Sequence, residues 1–115
     1  MPTMPVQTPP QIAIEGRNMV ATVRDGESSR VYTIFYSHEN NEWRMKGRFE
    51  LEELKLLPEV EVQNVVISGG TALVGLSLWR EAAVFVFEQD DFGFWRRVDD
   101  LYIYGIGRGD LTPSS

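Results

Sequence analysis

The sequence predicts an all-β fold, two tandem four-stranded antiparallel sheets in a chain of 115 residues. Three observations carry this expectation. Residues 64–101, NVVISGGTALVGLSLWREAAVFVFEQDDFGFWRRVDDL, read as four short strands separated by three turns. A weaker copy of that stretch occupies residues 12–51. The one segment with helical spacing, Leu51, Leu54 and Leu57, is cut by Pro58 before it is long enough to stand alone.

The chain opens with residues 1–11, a flexible tail with four prolines among its first ten residues, unsuited to a sheet interior. The first repeat spans 12–51. Setting IAIEGRNMVATV over VVISGGTALVGL places Ile12 on Val65, Ile14 on Ile67, Gly16 on Gly69 and Val20 on Leu73. Setting RVYTIFYSHENNEWR over AAVFVFEQDDFGFWR places Phe35 on Phe87, Trp43 on Trp95 and Arg44 on Arg96. The offset is 53 in the first half and 52 in the second. Asp25-Gly26 supplies a hairpin turn between these halves, and His38 to Glu42 supplies the next. Residues 52–63 form a connector, a turn of helix or an irregular passage with a lead-in at Val60 and Val62.

The second repeat spans 64–104. Val65 to Ser68 is its first strand, turned by Gly69-Gly70, where glycine accepts positive φ without steric cost. Thr71 to Leu76 returns, with Gly75 leaving room for a close backbone approach or a bulge. Ser77 to Glu81 turn the chain into Ala82 to Glu88. The centre of that strand, Ala83-Val84-Phe85-Val86-Phe87, has no polar residue, so cover is expected on both of its faces. Gln89 to Phe94 form a polar turn. Trp95 to Leu101 is a more charged strand that suits a sheet edge. Tyr102 to Tyr104 either extend it or begin another blade. Residues 105–115 are a flexible Gly, Ser and Pro tail. Four meandering strands covered on both faces describe a propeller blade, with an eight-stranded β-sandwich as the alternative. A period of about 50 residues lies in the range of blade repeats.

Composition narrows the functional classes. Hydrophobic residues make up 43% of the chain, enough to fold. The net charge of −6 disfavours a nucleic-acid surface and electrostatic attachment to anionic membranes. There is no cysteine, which excludes disulfides, thiol catalysis and zinc–thiolate sites. No apolar run reaches the roughly 20 residues of a membrane helix, and the first residues lack the features of a signal peptide. Neither fact assigns a compartment.

ISGGTALVG at 67–75, AAVFVFEQ at 82–89 and a Trp after a short polar turn resemble the FG-GAP repeat. That family builds the seven-bladed propeller of integrin α-chains and of many surface proteins, so the resemblance implies blades, protein–protein interaction and a commonly extracellular setting. Two departures limit it. No Phe-Gly precedes Val65, and Gly-Ala-Pro is replaced by Gly75-Leu76-Ser77. The calcium loop that many such repeats carry has no counterpart in Glu15-Gly16-Arg17-Asn18 or Ser68-Gly69-Gly70-Thr71, so no metal site is expected.

No catalytic set can be assembled. His38 is the one histidine and lies in a polar turn, and Asp90-Asp91 and Asp99-Asp100 are neighbours whose side chains point apart. Trp43 and Trp95 read as packing residues between sheets. Trp79, in a turn without an aromatic counterpart, is the expected contact residue, with Asp90, Asp91 and Phe92 as companions for a ligand. Arg108-Gly109-Asp110 spells an adhesion tripeptide in a glycine-rich tail, where chance accounts for it. Two blades share one interface and leave two apolar faces outside it, since Ile34, Phe35, Val84 and Val86 cannot all face a single seam. The expected function is therefore a non-enzymatic interaction module, without cofactor, that self-associates as a homo-oligomer or docks on another protein through its sheet faces. The alternative is a small β-sandwich that binds a carbohydrate or similar ligand.

Overall fold

The computed structural model describes residues 10–25, 27–28, 30–54, 60–78 and 81–104. They form two four-stranded antiparallel sheets, each a plain meander. The first sheet contains β1 (Gln11–Glu15), β2 (Asn18–Arg24), β3 (Val31–Glu39) and β4 (Glu42–Glu50). A single 3-10 turn, Glu52–Leu54, follows. The second sheet contains β5 (Val60–Ser68), β6 (Thr71–Leu78), β7 (Glu81–Gln89) and β8 (Trp95–Tyr104). The lead-in at Val60 and Val62 is thus already strand, and Tyr102 to Tyr104 extend β8.

The hairpins follow from their turn residues. Gly16, Gly69 and Gly70 lie at φ of 59°, 55° and 82°, the left-handed region that two-residue hairpins require. Asn40 and Asn41, at 52° and 66°, do the same work between β3 and β4, because a short polar side chain tolerates this region best among non-glycine residues. The β2–β3 loop is held by Asp25. Its carboxylate accepts from the Ser28 hydroxyl at 2.8 Å and from the Glu27 N–H at 3.1 Å. The Ser28 bond, then the Glu27 bond, hold that carboxyl below its ordinary range. Gly26 lies outside the described residues.

Strand pairing corrects the repeat alignment. Glu15 and Asn18 close the first hairpin as Ser68 and Thr71 close the equivalent one, an offset of 53. Ser37 lies opposite Asn18 as Glu88 lies opposite Thr71, an offset of 51. His38 faces Trp43 as Gln89 faces Trp95, which gives 51 on the third strand and 52 on the fourth. Phe35 is therefore equivalent to Val86, and Tyr36 to Phe87. Each ladder between third and fourth strands shifts register at that step, between Phe35 and Tyr36 and between Val86 and Phe87, where Lys46 of β4 and Val98 of β8 are the bulged residues. The matched irregularity supports the corrected alignment independently. The side-chain period of a strand is two, so a one-residue error exchanges the faces of a sheet.

With that correction the packing has a direction. We call the side of each sheet that bears Val20 and Phe35, or their equivalents Leu73 and Val86, its front, and the other side its back. The front of the first sheet is buried, with Val20, Thr22, Val31, Thr33 and Phe35 inaccessible. It packs on the back of the second, whose Ala72, Val74, Phe85, Phe87 and Trp95 are buried. Phe35 stacks on Trp95 with centroids 4.4 Å apart and planes at 11°. Phe87 completes the cluster at 5.2 Å from Phe35 and 5.1 Å from Phe49. Such pairs each contribute about 0.5–1.5 kcal/mol beyond the area they bury. Leu51 and Leu54, in and beside the 3-10 turn, join the same core. The sheets approach chiefly along β1, β2 and β5, and again between β4 and β8.

Polar contacts fix the register of the seam. The amides of Asn18 and Gln89 exchange bonds of 3.1 and 3.3 Å. The Gly69 N–H donates to the Glu15 carboxylate at 2.7 Å. Lys46, nearly buried, pairs with Glu39 at 3.2 Å and lies 4.6 Å from the centroid of the Phe94 ring. Inside the first sheet the Thr22 and Thr33 hydroxyls, both inaccessible, satisfy each other at 3.0 Å.

Candidate functional site

Of the residues singled out for ligand binding, Asp90, Asp91 and Phe92 share the turn between β7 and β8. Trp79 lies outside the described residues. The Asp90 carboxylate accepts from the Phe92 N–H at 2.8 Å and the Phe94 N–H at 3.0 Å. It thereby builds its own turn, closed further by a 2.8 Å bond from the Asp90 N–H to the Phe94 carbonyl. Asp91 and Phe92 project from this turn into solvent, and Phe92 is the most exposed large apolar side chain among the described residues. Asp99 and Asp100 fall on opposite faces of β8, and Asp100 pairs with Arg97 at 3.2 Å. Among the described residues no group of three or more His, Asp or Glu is placed to hold a metal ion.

The structure instead brings together two broad apolar faces. On the open back of the first sheet, β1 sets Ile12 and Ile14 outward beside Met19 and Ala21 of β2. Ile34 and Tyr36 of β3 continue the face to Trp43 and Met45 of β4. Trp43 keeps one neighbour ring, His38 directly across the ladder at 4.9 Å. On the open front of the second sheet, Val66, Leu73, Val84, Val86, Leu101 and Ile103 lie together by register. Outward positions on a two-layer protein ordinarily alternate with polar residues. Here they do not.

The reason is visible position by position. Most residues of the open back have a buried, apolar equivalent inside the seam: Ile14, Met19, Ala21, Ile34, Tyr36 and Trp43 correspond to Ile67, Ala72, Val74, Phe85, Phe87 and Trp95, whereas Met45 corresponds to Arg97. Trp43 is 44% exposed and its counterpart Trp95 is 5% exposed. Ile14 and Ile67 stand at 60% and 8%. On the other side, the open Leu73, Val86 and Leu101 correspond to Val20, Phe35 and Phe49 of the packed front. Each half of the seam therefore exists twice in the chain, once covered and once bare. Sequence reading anticipated two bare apolar faces. It could not assign residues to them, because the face of every β3 residue depends on the length of the β2–β3 loop.

Compared with known protein families, with curated proteins and with solved structures, the chain matches none.

Proposed function

We propose that this protein is a non-enzymatic interaction module, two FG-GAP-like blades that self-associate through their sheet faces, with docking on a different protein as the other use of the same surfaces. One observation carries the reading. The two sheets stack front on back, and the front and back left over each expose several large apolar side chains. Two sheets that met like face to like face, as in a symmetric sandwich, would leave two copies of one face outside. A front-on-back stack leaves one of each, which is the repeating contact between propeller blades. The meander order within each sheet and the close approach of β1 to β5 support the blade reading further. Large exposed apolar patches on soluble chains mark interaction sites.

The test is light scattering coupled to size-exclusion chromatography across a wide concentration range. A discrete multimer of the 13.1 kDa chain is the expected result. A chain that stays monomeric at high concentration would count against self-association. It would favour the small-ligand alternative at the turn of Asp91 and Phe92, whose exposed ring is the observation behind that reading. Glycan-dependent change in tryptophan fluorescence would then be measured.

A further inference from the structure

Resting on the self-association reading, we infer that the partner is a second copy of this chain and that it binds unlike face to unlike face. The open front of one second sheet covers the open back of another copy's first sheet, in the register of the internal seam. The internal seam is the template. In it Phe35, from a front, stacks on Trp95, from a back. Their equivalents are Val86, partly exposed, and Trp43, exposed, and no second sheet covers either among the described residues. In the contact between copies Val86 sits over Trp43 as Phe35 sits over Trp95.

The polar register carries over in kind. The Asn18–Gln89 amide pair becomes Thr71 beside His38 of the other copy. Gly69 N–H donating to Glu15 becomes Gly16 N–H facing Ser68 of the other copy. One position changes character: Gly47, whose added Cβ would lie 3.3 Å from the Trp95 Cβ, is replaced at the equivalent site by Asp99. Asp99 thus faces Trp43 of the other copy, where its carboxylate can accept the indole N–H. Front-on-front pairing is disfavoured, because among the described residues it would bring together two faces that each carry Glu61, Glu88 and Asp99 against Arg96. Contacts between unlike faces are heterologous, so they repeat around a ring or along a stack.

Unlike-face binding has a signature that like-face binding cannot imitate. Trp43→Arg spoils the back and keeps the front. Leu73→Arg spoils the front and keeps the back. Each variant alone should run at the 13.1 kDa monomer mass while the parent chain runs as a multimer. An equimolar mixture should form a 1:1 complex of twice that mass, held by the one pair of intact faces. Ile14→Arg with Leu101→Arg repeats the test on outer strands, where the side chains already point to solvent, so that loss of fold cannot mimic loss of contact. A mixture that stays monomeric overturns the proposal, and so does a parent multimer that only one of the two substitutions dissociates. In both cases self-association itself survives. A parent chain that is monomeric at every concentration overturns both.

Discussion

Two tryptophans at one register position offer the sharpest test of the seam. Trp43 and Trp95 each lie at the start of the fourth strand of a meander, within its first two residues, opposite His38 and Gln89. They differ in whether a sheet covers them. Trp95→Ala removes a side chain that is almost inaccessible and stacked at 4.4 Å on Phe35. Burial of a Trp hides about 150–250 Å², and at about 25 cal/mol per Å² that amounts to about 4–6 kcal/mol. Measured truncations of core Trp and Phe cost about 3–5 kcal/mol. We expect about 4 kcal/mol, a large share of the roughly 5–15 kcal/mol that holds a domain folded. Trp43→Ala removes a side chain that is nearly half exposed and touches one ring, and should cost about 1 kcal/mol in the dilute monomer. Urea unfolding followed by far-ultraviolet circular dichroism, at a concentration below assembly, reads the difference. With an m-value of about 1.5 kcal/mol per molar, Trp95→Ala lowers the midpoint by about 2.5 M and Trp43→Ala by less than about 1 M. If Trp95→Ala leaves too little folded protein, Trp95→Phe keeps a ring over Phe35 and should cost about half as much. Equal losses at the two positions would refute the assignment of one tryptophan to the seam and the other to an open face.

Two further predictions concern the interior. Thr22→Val and Thr33→Val each strand a buried hydroxyl and should cost about 1–3 kcal/mol alone, while the double variant should return close to parental stability. A double-mutant cycle by chemical denaturation shows this coupling, and simple additivity would contradict the buried hydroxyl pair. Gly47→Ala presses a methyl against Phe49 at 3.0 Å and the Trp95 Cβ at 3.3 Å, and should destabilise by about 1–3 kcal/mol. Gly75→Ala presses on the end of the exposed Asn64 side chain, at 2.7 Å, which can swing away, and meets the Asn64 carbonyl at an ordinary 3.8 Å, so its melting temperature should stay within a few degrees of the parent. A larger loss at Gly75 than at Gly47 would overturn this ranking.

Much of the architecture was legible because it is written in local chemistry. Gly69-Gly70 and the polar stretches at 38–42 and 89–94 mark hairpins, and the unbroken apolar centre of β7 marks a strand with demands on both faces. The repeat was legible too, yet its phase was not. Aligning Phe35 with Phe87 is natural on residue similarity, but the pairing of Ser37 with Asn18 and of Glu88 with Thr71 shows those phenylalanines on opposite faces. They can touch across the seam for that reason. A loop two residues longer in one repeat than in the other is invisible to composition and decides which side of a sheet each ring occupies. The Asp90 turn was legible as a polar loop but not as a closed network, since its hydrogen bonds exist only once Phe94 has returned to meet it. The bulges at Lys46 and Val98 carry no residue signature at all; pairing reveals them.

The meander has a kinetic meaning. Every hydrogen-bonded ladder in both sheets joins strands that are neighbours in sequence, so each four-stranded unit can assemble from short closures whose entropic cost is small. What joins the units is the cluster of Phe35, Phe49, Phe87 and Trp95, which spans the two halves of the chain. Docking can thus follow formation of the separate meanders, and contacts made late weigh on the rate of falling apart rather than the rate of coming together. The aromatic seam then acts as a latch, setting how long the folded chain lasts once formed.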